Sequence, residues 1–183
     1  MATAIACRGR AGARADLQWA AANTLFILVA GALGAAIDEM HHWGLRTYLT
    51  LCTSGEIPWT RALALQFALL PGMLVAMAIA MVYVFALQTA ASARTGNTSM
   101  RLGAVASHIG CLTAMLISFT VCAALLRLLG SYALGVFTMA AVDALIALSA
   151  SALAVLLLRW ARASFDLSRV GSRQNMESRM PVR

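Results

Sequence analysis

The chain contains no lysine, and charged residues of any kind make up only 11% of its 183 positions. An ordinary soluble domain carries roughly 25%. The short motifs of nucleotide-driven machines and common hydrolases are also missing. There is no G-x-x-x-x-G-K-[ST], no G-x-G-x-x-G and no H-E-x-x-H, and no G-x-S-x-G elbow. Phosphate cradling, dinucleotide chemistry, zinc-peptidase chemistry and serine hydrolysis therefore have no sequence support. The four cysteines, Cys7, Cys52, Cys111 and Cys122, form neither a C-x-x-C pair nor a zinc spacing. A disulfide framework is not expected, and the two cysteines inside an apolar run read as small packing residues. The three histidines, His41, His42 and His108, do not supply the paired ligands of a two-haem span. The expectation is a protein that is not an enzyme.

What is present is apolar. Hydrophobic residues account for 61% of the chain, and mean hydropathy is +0.80. That excludes a disordered chain, a coiled coil and a typical cytosolic enzyme. It leaves a small integral membrane protein. A spanning helix needs about 20 apolar residues, so there is room for four or five spans and no separate soluble domain.

Four apolar runs suit spans at about 19–37, 61–91, 102–129 and 132–158. Residues 1–18 read as a basic tail carrying Arg8, Arg10 and Arg14, and 163–183 as a disordered tail. The transmembrane domain is thus 19–162. A basic flank before a short apolar run also fits a secretory signal; an uncleaved first span is the expectation here. Between the first two spans, 38–60 is punctuated by Gly44, Gly55 and Pro58. Its stretch LRTYLTLC suits a short helix in the membrane interface. Pro71-Gly72 falls inside the second span, where a proline usually kinks a helix.

All fourteen cations are arginine, set against seven acids, for a net charge of +7. A basic soluble domain would suggest nucleic acid. Here the arginines border apolar runs, so they read as topology signals and contacts to anionic lipid, with no nucleic-acid partner. The two tails and the 92–101 turn hold eleven arginines, and the other connections hold three, Arg46, Arg61 and Arg127. The positive-inside rule then puts both termini in the cytoplasm. Trp19 and Trp160 fall at the inner boundary, Trp43 and Trp59 at the outer one. The expected fold is all-α: a four-span transmembrane bundle with both termini cytoplasmic, in a bacterial-type inner membrane.

Asp143 is the most informative residue. It lies eleven residues into the fourth run, about 16 Å deep at 1.5 Å per residue. A carboxyl at that depth costs a few kcal/mol and must face the bundle interior, pair or stay protonated. Candidate partners are His108 and Arg127 on the third span, Arg127 being nearer the outer end and able to snorkel. Such residues read as a proton- or cation-linked site, against the alternative of a structural polar contact.

Met73, Met77 and Met81 recur every four residues on the second span, along one helical face. The third span adds His108, Cys111 and Met115 at i, i+3 and i+7, and Met139 precedes Asp143 by one turn. Thioether, thiolate and imidazole suit a soft metal such as copper(I), although core packing is the commoner use of a methionine stripe. Asp38, Glu39, Met40, His41 and His42 form a possible outer vestibule for a cation. Adjacent histidines point about 100° apart on a helix, so both rings cannot share one face. Gly103, Ser107 and Cys111, then Ala114, Ser118 and Cys122, make a small-residue stripe that lets helices approach closely or lets the chain oligomerise.

The functional expectation is a small permease or metal-handling membrane protein. The substrate or cofactor is a small cation, copper or another soft metal, or a proton-linked species. The rival is a non-catalytic anchor or assembly subunit of a larger membrane complex. A third alternative is a membrane enzyme using Asp143 and His108 as acid and base.

Overall fold

The computed structural model describes the backbone of residues 2–42, 44–54, 59–96, 98–129 and 135–177. All of these segments are helical: α1 (Ala2–His42), α2 (Gly44–Ser54), α3 (Trp59–Leu69), α4 (Pro71–Thr95), α5 (Thr98–Leu129) and α6 (Gly135–Glu177). Among the described residues, four stretches are long and apolar enough to cross a membrane: Gly12–His41, Pro71–Thr95, Thr98–Ile117 and Met139–Phe165. Such helices suit an apolar solvent, which leaves backbone groups no partners but those of their own helix. Their outward residues are also apolar. Leu33, Val82 and Leu145 are 63%, 70% and 68% exposed, the pattern of a surface made for lipid rather than water.

The second run does not form one kinked span. It is two helices with a break between them. α3 stops at Leu69, Leu70 takes φ −126° and ψ 49°, and Pro71 opens α4. Proline disfavours helical geometry in the residue before it, and it is well placed at a helix's first position, where its missing N–H costs nothing. The eleven residues of α3 span about 16 Å, too short to cross a bilayer. The expected short helix after the first span is present as α2, and its Tyr48 is buried at 1% exposure.

Both ends are helical beyond the expected span limits, α1 from Ala2 and α6 as far as Glu177. Alanine and arginine are good helix formers, and the N-terminal segment is rich in them. Within the part expected to be tail, Asp16 is buried and pairs with Arg159 at 2.5 Å. That pair puts the N-terminal part of α1 and the C-terminal part of α6 at one end of the bundle, called the tail end below.

α1 is the hub, packing against α2, α4, α5 and α6, while α5 and α6 share a long contact. Small residues make these approaches possible. A Cβ on Gly103 would meet Trp19, and one on Gly34 would meet the backbone of Gly72. The tail end is filled by Ala20, Leu102, Ala106, Ala154 and Val155. Farther along, Ile27, Met77, Ala80, Val84, Ala104 and Cys111 form a second cluster.

Polar ties cross this core. Asn23 Nδ2 donates to Gln88 Oε1 at 3.0 Å, and Gln88 Nε2 donates back to Asn23 Oδ1 at 2.6 Å. The Thr24 and Ser151 hydroxyls meet at 2.8 Å. Each hydroxyl also lies within hydrogen-bond distance of the carbonyl one turn back, Thr24 of Ala20 and Ser151 of Ala147; with one hydrogen apiece, one hydroxyl donates to its carbonyl and the other can donate to that hydroxyl. The buried polar side chains of Asn23, Gln88, Thr24 and Ser151 are thereby given partners, as an apolar surrounding requires.

Gly110 tests this packing. A Cβ there would run into Ser151 Oγ and the Ala147 carbonyl. Overpacking costs about 1–3 kcal/mol, of which roughly 0.5–1 kcal/mol returns because alanine is the better helix former. Gly110→Ala is expected to lower the SDS-unfolding midpoint by about 1 kcal/mol equivalent. A variant as stable as the parent would show that α5 and α6 are not in this close contact.

Candidate functional site

A cavity of about 330 Å³ lies between the helices on the side of the Asn23 and Thr24 ties away from the tail end. Five elements line it: α1, α3, α4, α5 and α6. Gln66 reaches the lining from α3, on the other side of the break at Leu70 from Met73 and Met77. Gln66 is buried at 4% exposure.

Five of the sixteen lining residues carry sulfur, among mostly aliphatic neighbours. Met73 and Met77 come from α4, Cys111 and Met115 from α5, and Met139 from α6. Asp143, one turn beyond Met139, is on the same wall. The structure thus brings together six of the residues that spacing singled out on three separate segments. Asp143 lies eight residues beyond Gly135, about 12 Å along α6, so it sits nearer the far end of the bundle than its middle. Gly31 makes room for this wall, since a Cβ there would meet the Met77 side chain.

Other expected members lie elsewhere. Met81 is not on the cavity wall; it packs against the Ile27 and Met77 cluster. Four-residue steps drift around a 3.6-residue helix, so the third methionine leaves the face of the first. His108 turns toward α4, away from Asp143. Its Nδ1 is 2.6 Å from the Ala104 carbonyl oxygen and its Nε2 is 2.9 Å from that of Met81. A neutral ring donates through one nitrogen, and a protonated ring donates through both. Phe85 meets the ring edge-on with centroids 6.0 Å apart. Arg127 lies on α5, but its side chain is outside the described residues.

The proposed outer vestibule is divided by the structure. Asp38 points into the protein, 4% exposed. Its Oδ1 accepts the Gly72 N–H and its Oδ2 the Met73 N–H, both at 2.8 Å. It therefore holds the first turn of α4, where a carboxylate suits both the unpaired amides and the helix dipole. A Cβ on Gly72 would stand 2.6 Å from Asp38 Oδ1, so glycine is what lets the carboxylate approach. Glu39 pairs with Arg46, accepting its backbone N–H at 3.0 Å and facing its guanidinium at 3.6 Å. Met40 is 74% exposed, and His41 Nδ1 sits 2.9 Å from its own helix's Ile37 carbonyl. The side chain of His42 lies outside the described residues.

Among the described residues, no three His, Cys, Asp or Glu side chains converge as a metal site. The cavity's donors are of a different kind: four thioethers, a thiol, an amide and one carboxyl. Hard divalent cations want several oxygens, whereas soft monovalent cations accept sulfur.

Sequence reasoning overlooked Gln66, the Asn23–Gln88 pair and the Asp16–Arg159 pair. Each had a signal. Asn23, Gln66 and Gln88 are polar residues inside apolar runs, the same feature that drew notice to Asp143. No family model, no curated protein and no solved structure matches the chain.

Proposed function

We propose that this chain is a small membrane permease or binding protein that takes up a cation, with the 330 Å³ cavity as the place where the cation sits. The observation that carries this reading is the convergence of Met73, Met77, Cys111, Met115, Met139 and Asp143 on one wall. The sulfurs offer soft, polarisable donors, and the carboxyl offers a counter-charge in a site of low dielectric. Copper(I) and silver(I) are the inorganic cations such a set would prefer. In this reading the protein sits in a bacterial-type inner membrane with both termini cytoplasmic, in keeping with its arginine distribution. The tail end is then the cytoplasmic end and the cavity lies in the outer half.

The test is binding of silver(I) to detergent-solubilised protein. Met73→Leu combined with Met77→Leu keeps the volume but removes two thioethers. The double variant is expected to lose the ion, while Met81→Leu, off the wall, retains it. Absence of binding in the parent, or equal loss in Met81→Leu, would overturn the soft-metal assignment.

A second reading, a non-catalytic subunit of a membrane complex, draws on the continuation of α6 beyond the apolar stretch ending at Phe165 to Glu177. A polar continuation of a membrane-length helix is a natural handle for a partner. Under that reading Asp143→Asn would lower abundance or partner retention without affecting any bound ion.

A further inference from the structure

The cavity has a direction. Its lining on α4 and α5 is the more enclosed: Met77 is 6% exposed, Cys111 fully buried and Ala114 3% exposed, with Met73 and Met115 partly buried. Its lining on α1 is buried at Gly31 and Ala35 but open at Leu25 and Val29, 49% and 58% exposed. Ala32 on α1 and Ala140 on α6 are exposed as well. The mouth therefore lies along the groove between α1 and α6. Thr24–Ser151 and Asp16–Arg159 tie these two helices together on the tail-end side of it. Every residue at the mouth is apolar, and it opens on the same lipid-facing surface as Leu33 and Leu145. A hydrated ion gains nothing by approaching from that side, because it would have to leave water for hydrocarbon first. A molecule already dissolved in the bilayer meets the mouth directly.

The volume points the same way. A cavity of 330 Å³ is far larger than a bare metal ion and falls at the lower end of the range for small-molecule sites, about 300–1,000 Å³. Such sites are mostly apolar with a few placed polar groups. Here those groups are Asp143 and Gln66. Methionine sulfur also packs well on aromatic rings and adapts to irregular ligands.

We infer that the cavity's substrate is a lipophilic organic cation, such as an aryl quaternary ammonium, which arrives sideways from the bilayer between α1 and α6 and sets its charge against Asp143. This rests on the reading of the cavity as a cation site and names the class of cation. The carboxylate supplies attraction that a lipid-soluble neutral molecule would not feel, and the apolar wall supplies the burial that an inorganic ion could not use.

The experiment measures binding to the detergent-solubilised full chain by equilibrium dialysis. The probes are para-butylphenyltrimethylammonium and its neutral isostere bearing a tert-butyl group in place of the trimethylammonium. The cation is expected to bind at least about tenfold more tightly than the isostere, and Asp143→Asn to weaken it by about tenfold or more. Val29→Trp, at an exposed position that can fold with a larger side chain, is expected to obstruct the mouth and weaken the cation by a similar factor. Helical circular dichroism and gel filtration establish that both variants are folded. Should Asp143→Asn fail to fold, Val29→Trp and the isostere comparison still decide. Equal binding of cation and isostere, or binding unaffected by Val29→Trp or by folded Asp143→Asn, overturns the inference. Silver(I) binding without ammonium binding overturns it while leaving the cavity a cation site. Absence of binding by both cations overturns the site as well.

Discussion

Replacing Asp16 by alanine is expected to destabilise the bundle by about 2–3 kcal/mol. Asp16 is 5% exposed, and its carboxylate meets the Arg159 guanidinium at 2.5 Å. Removing one member of a buried pair strands the other charge, which costs about 3–5 kcal/mol when both are fully enclosed. The Arg159 side chain is 32% exposed and can move its head toward water, so part of that cost is relieved. The double replacement, Asp16→Leu with Arg159→Leu, strands nothing and is expected to recover most of the loss. Unfolding by SDS, followed by circular dichroism, gives the three midpoints. A single variant within about 0.5 kcal/mol of the parent, the range of ordinary surface changes, would mean that the pair does not hold the tail end together.

Asp38→Ala is expected to come next, at about 2 kcal/mol. Two backbone N–H groups at the start of α4 lose a charged acceptor at 2.8 Å each. Hydrogen bonds to charged groups contribute about 1.5–3 kcal/mol, and an N-cap loss alone about 1 kcal/mol. Asp38→Asn keeps one acceptor oxygen and should fall between the parent and the alanine variant. The sharper readout is hydrogen exchange at Gly72 and Met73, which should accelerate in Asp38→Ala and leave the amides around Val84 unchanged. Unchanged exchange at those two positions would show that Asp38 does not anchor α4. Because Met73 is also on the cavity wall, loosening this turn is expected to disturb the site from a residue that does not line it.

The long helices were readable because apolar length and helix formation are one-dimensional properties. The methionine stripe was readable only in part: one four-residue step keeps Met73 and Met77 on one face, and the second carries Met81 off it. Partners are not one-dimensional. Nothing in the spacing of Met73, Met77, Cys111, Met115 and Met139 says that α4, α5 and α6 turn those faces to one cavity. Nor does any rule say that His108 would meet the carbonyl of Met81 rather than the carboxyl of Asp143. Asp38 illustrates the difficulty best. In the sequence it stands among charged and imidazole neighbours and reads as part of a wet vestibule. Its actual partner is a helix terminus more than thirty residues on, created by a proline that was read as a kink. Recognising that Pro71 favours a first helical position over an interior one would have exposed both the break and the need for a cap. The Asp16 pair was hidden by a different habit, that of treating a basic segment before an apolar run as tail.

On the proposed reading, the cavity is a vessel with a side window and a base closed by polar ties. If a cargo crosses, the seal must part: two reciprocal amide bonds, a hydroxyl pair and an ion pair knit it shut. At about 1 kcal/mol for each neutral bond and more for the charged one, the parted form is a rare excursion, well under one molecule in a hundred. Throughput would then be governed by the strength of that seam rather than by the grip of the chamber above it, and weakening Asn23–Gln88 would be the way to make the molecule leak.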